Sequence, residues 1–338
     1  MRTDFLALLR RSAATVLLGL LAACGGGGDA PDDAEATSRD VAENQTLRVP
    51  KGLRGTLIFT RNEPLKATKV MRLNFKLGRY EVAADGWDPS IGENSMAFLQ
   101  KCSPLAVRLA VTDSDGFSGP ASECFELDTI TPDFFRPKMS RDDELIAVAN
   151  TAILLPKDEL PDTAAAQFGI GDNTYVATQI YRPSGELVAE LRGFTLGEWT
   201  RRGELVVVGG GGDTGYGLYR ADKKFKSTER IDDGRIRGEI VSLDTHPKKD
   251  RVVFVYNGQI FEMDLNSGSP KRIHSHGYPL SAVTYSPSGD AIAFVSSDPL
   301  QEAMETPGSG YHLYVLRDGE VDTIVLPFIP GGPLDWVD

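Results

Sequence analysis

Histidine and cysteine are scarce in this 338-residue chain, at four and three copies, and the usual catalytic signatures are missing from it. There is no Gly-x-Ser-x-Gly elbow and no His-Glu-x-x-His pair. The glycine run from Gly209 to Gly212 is not followed by Gly-Lys-Ser or Gly-Lys-Thr, so it is no phosphate loop; it reads as a flexible loop between strands. A triad built from distant residues is recognised by geometry and not by order, but few histidines are available to serve it. The formal net charge of −12 leaves no basic face for nucleic acid or anionic lipid. No apolar run approaches the roughly twenty residues that a spanning helix needs. The expectation is a protein that is not an enzyme, needs no cofactor and binds no nucleic acid.

What is present begins at the N-terminus. Arg2, Arg10 and Arg11 precede an apolar run from Ala13 to Leu21, which ends in Leu21-Ala22-Ala23-Cys24. A charged start, a short apolar stretch and small residues before a cleavage point make an export signal. The Leu-Ala-Ala-Cys tetrapeptide resembles the bacterial lipobox, which implies acylation of Cys24 and removal of residues 1–23. Gly25 follows the cysteine, and an aspartate there is lacking; this resembles the lipoproteins sent on to the outer membrane. Loss of the leader removes three arginines and one aspartate, so the mature chain carries −14. Residues 24–50 are Gly-rich and then acidic, too poor in apolar groups to offset their ordering entropy, and read as a flexible tether. Membrane attachment would rest on the acyl chains alone.

Residues 51–338 repeat one sentence. At Tyr285 it reads YSPSGDAIAFV, where Pro287 and Gly289 reverse the chain and the following run is apolar at every position, as a strand buried on both faces must be. Copies start at Met139, Trp199 and Thr245, and a looser one at Trp87; the chain ends in LDWVD, just where another turn is due. Anchors at 87, 139, 199, 245, 285 and 336 are spaced by 52, 60, 46, 40 and 51 residues. Such periods, with several short strands in each, point to propeller blades. The expected fold is all-β: six four-stranded antiparallel blades, with the C-terminal strand joining the N-terminal blade.

The YSPSGDAIAFVSS sentence and the LYV…DG after it resemble the WD40-like, or PD40, repeat of TolB-type six-bladed propellers. The resemblance covers residues 54 to 338 and is clearest in the last two blades. TolB-type proteins carry a further domain ahead of the ring, where this chain has only the acidic tether, so their role is not carried over.

Candidate sites are few. His274 and His276 are two apart, so in an extended segment both imidazoles face one way and could share a metal; the bland alternative is a pair of exposed loop histidines. Asp113-Ser114-Asp115-Gly116 opens like a calcium loop but lacks its closing acids. Export and an even thiol count favour a Cys102–Cys124 disulfide, although they fall at the end of a second strand and the start of a fourth. Two long insertions, 152–173 and 297–310, interrupt their blades between strands two and three. They share a rim with the blade connections, which carry Phe134, Phe135, Arg136, Glu198, Arg237 and Tyr278. Long loops on a rigid scaffold commonly carry recognition. The reading is an envelope lipoprotein whose ring presents that rim to a protein or peptide. The alternative is a small-ligand or metal-binding propeller, or a hydrolase or lyase, using its central channel.

Overall fold

The computed structural model describes residues 46–62, 68–103, 106–113, 123–126, 136–154, 174–211, 214–297 and 311–338. All the regular elements among them are strands. Blade one holds β1 (Thr56–Asn62), β2 (Lys69–Asn74) and β3 (Arg79–Asp85); blade two holds β4 (Trp87–Ile91), β5 (Ser95–Ser103), β6 (Ala106–Asp113) and β7 (Glu123–Glu126). Blade three holds β8 (Pro137–Met139), β9 (Ile146–Leu154), β10 (Thr174–Tyr181) and β11 (Leu187–Arg192). Blade four holds β12 (Phe194–Trp199), β13 (Leu205–Gly211), β14 (Gly215–Ala221) and β15 (Thr228–Arg230). Blade five holds β16 (Ile240–Thr245), β17 (Arg251–Tyr256), β18 (Gln259–Asp264) and β19 (Lys271–Ser275). Blade six holds β20 (Leu280–Tyr285), β21 (Ala291–Ser297), β22 (Tyr311–Arg317) and β23 (Glu320–Ile324). The last strand, β24 (Ile329–Val337), returns to blade one and pairs with β1, so six sheets of four strands close a ring.

The unbroken apolar runs explain the packing. In β17, Val252 and Phe254 enter the core shared with blade four, while Val253 and Val255 enter the core shared with blade six. In β21, Ile292 and Phe294 face blade five, and Ala291, Ala293 and Val295 face blade one. Each second strand thus serves two seams, and the six buried clusters each lie between adjacent blades. Leu47 and Val49 also pack against the core of blades one and six, so the packed chain starts ahead of residue 51.

The turns behave as their residues require. Gly289 has φ +78°, and a Cβ there would strike the His246 imidazole of the neighbouring blade. Two details differ from the sequence reading. The register pairs Ile91 with Met96 as it pairs Met139 with Ile146, so Ile91 and not Trp87 is the anchor of blade two. Trp87-Asp88-Pro89 mimics an aromatic-turn start four residues early. The glycine run is also no mere loop: Gly209, Gly210 and Gly211 belong to β13 and pair with Gly217, Tyr216 and Gly215. A side chain at Gly209 would strike the Gly215 carbonyl.

Cys102 lies at the end of β5 and Cys124 on β7, where it pairs with Ala110 of β6. With β6 between them, two interstrand spacings of about 4.8 Å already exceed the Cα separation of about 7 Å that a bridge tolerates. The register therefore favours two separate thiols over the bridge that the thiol count suggests. Alkylation of the unreduced, denatured protein should label both Cys102 and Cys124 by mass spectrometry; an unlabelled pair would establish the bridge instead.

Candidate functional site

The first strands of the blades contact one another in a closed circuit, β24–β4–β8–β12–β16–β20, and so line the axis. An innermost strand has one edge without a strand partner, and its N–H groups there need other acceptors. The residue just before the anchor meets that need in four blades, through the side chains of Ser90, Glu198, Asp244 and Asp335; in the other two the same place is held by Lys138 and Thr284. Asp335 Oδ2 accepts from Ile91 N at 2.9 Å and Ser90 Oγ at 3.0 Å; Ser90 Oγ in turn accepts from Met139 N at 3.0 Å. Asp244 Oδ2 accepts from Tyr285 N at 2.7 Å and Thr284 Oγ1 at 2.8 Å. Trp199 Nε1 donates to Lys138 O at 2.8 Å, and Thr245 Oγ1 to Trp199 O at 2.6 Å. Each of these bonds from one blade to the next crosses a seam.

Lys138 and Glu198 form an ion pair of 2.9 Å with side chains only 8% and 9% exposed. Burial opposes the Lys138 charge, yet the carboxylates of Glu198, Asp335 and Asp244 outweigh it and raise its proton affinity. Burial pushes Glu198 up to about 8, with Lys138 pulling it down and the two aspartates pushing further up. Asp244 is likewise raised, chiefly by burial. Three acids therefore share one ammonium at the waist of the ring.

Above that waist a cavity of about 970 Å³ opens on the rim that bears the turns between first and second strands. Its collar is the set of six anchors, Ile91, Met139, Trp199, Thr245, Tyr285 and Trp336, and the carboxylates of Glu198, Asp244 and Asp335 form its floor. It extends into the cleft between blades one and two, past Ile58, Arg72 and Glu93. Arg141 and Lys248 stand exposed at its mouth, and Arg141 reaches across to the Pro247 carbonyl at 3.3 Å. A collar of apolar and aromatic groups over charged ones suits an extended chain or a small polar ligand.

Of the residues singled out on the loop-bearing rim, Arg136, Glu198, Arg237 and Tyr278 are among those described. Glu198 sits in the buried ion pair and not on the rim, a correction that follows from its place one residue before the anchor Trp199. Arg136, Arg237 and Tyr278 lie just ahead of β8, β16 and β20; Arg237 and Tyr278 are exposed, while the Arg136 guanidinium donates to the Val241 carbonyl. Phe134 and Phe135 lie outside the described residues, as do residues 155–173 and 298–310 of the two insertions and residues 114–116 of the calcium-like segment. The sequence reading missed Asp88, which adopts φ +51° beside the channel; burial pushes its carboxyl up to about 7 against the pull of Arg136. His274 and His276 do lie together, with ring centroids 5.7 Å apart. Among the described residues no three His, Cys, Asp or Glu side chains converge as a metal site.

No family model matches the chain, and no curated protein matches it. Among solved structures it is similar to TolB from Acinetobacter baumannii, with TM-score 0.62 and 12% identity over 86% of this chain and 68% of that one. It is also similar to a protein of Agrobacterium tumefaciens assigned as TolB, with TM-score 0.51 and 16% identity over 82% of this chain and 90% of that one. A Pyrococcus horikoshii acylaminoacyl peptidase gives TM-score 0.49 and 15% identity over 83% of this chain and 46% of that one. At these identities the likeness is one of fold, a TolB-like six-bladed propeller.

Two outcomes follow from the charges. Lys138→Met should cost about 3–5 kcal/mol in urea unfolding, because it strands buried carboxylates, and adding Glu198→Leu should restore part of that loss. His246, 3% exposed, accepts from the N–H groups of Lys248 and Lys249 through Nδ1. Its pKa is lowered from 6.5, first by burial and then by Lys249. Its folded-state pKa lies below the unfolded one, so its contribution is complete above pH 6.5 and is lost as pH falls through and below that value. The drop in melting temperature between pH 7.5 and 5.5 should shrink in His246→Asn, which keeps an acceptor for the two N–H groups.

Proposed function

We propose that the chain is a lipid-tethered protein of the bacterial cell envelope, held through Cys24 most consistently in the outer membrane facing the periplasm, and that its ring is a binding or scaffold module for an envelope protein or peptide. The observation that carries this reading is the cavity at the turn-bearing mouth. It is built from the most regular feature of the repeat, the six anchors, and its aromatic collar over a charged floor fits a peptide segment better than a reacting centre. The lipobox-like leader and acidic tether support the envelope placement, and the ring's likeness to TolB supports a module that binds without chemistry of its own. Recognition is thereby moved from the loop-bearing rim to the opposite one. The cavity is also within the range of small-ligand sites, roughly 300–1,000 Å³, so the second reading is a small-ligand propeller using the same mouth.

A tag placed between Pro31 and Arg39 allows cross-linking in the native cells, with Cys24→Ser as the control for anchoring. A recurrent envelope partner should be captured, and should be lost in Arg141→Glu/Lys248→Glu while surviving Arg237→Glu/Tyr278→Ala. The reverse pattern would return recognition to the loop-bearing rim. Failure to capture any protein, together with saturable binding of a small ligand that the mouth variant abolishes, would establish the second reading instead.

A further inference from the structure

Three of the four histidines gather at one place, the seam between blades five and six, away from the axis. Strand β19 carries an irregularity where Ile260 pairs with His274 and Phe261 with Arg272, so Ile273 is the extra residue and His274 is re-aimed. His276 follows two residues later, beyond the end of the strand. Both rings turn onto the same neighbour: their centroids lie 5.5 Å and 5.4 Å from that of Phe294. His276 also packs on Tyr314 at 4.5 Å, and His312, the third imidazole, lies 6.1 Å from the same tyrosine.

The Nε2 atoms of His274 and His276 are shielded from solvent and have no hydrogen-bond partner. A buried polar atom left without a partner costs about 1–3 kcal/mol. Two such atoms, on rings 5.7 Å apart, make a repeated defect if the pair merely fills space, since phenylalanine or leucine would fill it without that cost.

We infer that His274 and His276 form a two-imidazole seat for one borderline divalent transition-metal ion, Zn²⁺, Ni²⁺ or Cu²⁺, at the seam of blades five and six. Imidazole selects these ions over Ca²⁺ and Mg²⁺, which call for carboxylate and carbonyl oxygens. The described residues supply no third ligand at the same point, so an entering ion would bring its remaining donors with it and part the side chains that shield the two Nε2 atoms. An ion there would brace the link from β19 to β20, independently of the cavity at the turn-bearing mouth.

The test is titration of chelator-stripped, full-length protein carrying a tag without histidine, using Ni²⁺ and Zn²⁺ and reading both calorimetric stoichiometry and melting temperature. One equivalent should bind and raise the melting temperature, while Ca²⁺ and Mg²⁺ should do neither. Replacing a ligand should cost more than the roughly 10-fold lower bound known for outer-shell changes. His274→Phe and His276→Phe, which keep a ring in the seam, should therefore each weaken binding by at least about that factor, with near-ultraviolet circular dichroism unchanged. His246→Asn, on the opposite rim, should leave binding as it was. No binding at millimolar metal, or equal binding by the two phenylalanine variants, would overturn the assignment and leave the pair as packing groups. Should a phenylalanine variant fail to fold, His274→Gln and His276→Gln carry the same comparison.

Discussion

Everything in this ring depends on the pairing of β24 with β1. Thr56 opposes Val337 and Leu57 opposes Trp336, partners separated by nearly the whole chain. Each blade buries both faces only against neighbours, so an unclosed row of blades would leave two apolar faces in water. Trp336 secures the joint: its ring packs at 4.5 Å on Phe75, and its Nε1 donates to Arg54 O at 2.9 Å. Closure also completes the candidate site, since Trp336 supplies part of the collar and Asp335 part of the floor. Contacts so distant in sequence form late and slowly, and the site exists only once they have formed.

The waist of the ring answers a second demand, that of the inner strand edges. Their donors are met by Ser90, Asp244 and Asp335 from the preceding blade and by Glu198 within its own, while Lys138 pairs with Glu198. Buried pairs of this kind add little net stability compared with apolar packing, although removing one partner is costly. Their effect here is positional. Because Asp335 holds blade two and Asp244 holds blade six by backbone and hydroxyl donors alike, these two blades are fixed in height relative to the ones before them.

The fold was legible because its determinant is repeated and physical: a doubly apolar strand after a Pro-Gly turn, as in Tyr285 to Val295. The site was not, for a reason that lies in the same repeat. The position before each anchor is structurally equivalent in all six blades but is Ser90, Lys138, Glu198, Asp244, Thr284 and Asp335, six side chains with no shared pattern. Only the strand register brings them into one ring. Glu198 in particular reads from the sequence as a charged group near a blade junction, and its burial depends on Lys138, which lies 60 residues away. The slip at Trp87 has the same origin: an aromatic residue followed by Asp-Pro looks like an anchor until pairing with Leu99 shows that the turn comes later.

The path of the chain into blade one has a mechanical consequence. Leu47 N is bonded to Gly78 O at 2.7 Å, and Leu47, Val49 and Leu53 lie on the core shared by blades six and one before β1 begins. A pull applied to the chain ahead of Thr46 would first peel this short segment, a compliant element that lengthens under load. It would then reach β1, which is no edge strand but is laddered to β2 on one side and β24 on the other. Extracting it requires two ladders to shear at once, so tension is absorbed in the entry segment and the ring is loaded at the one joint that holds it shut.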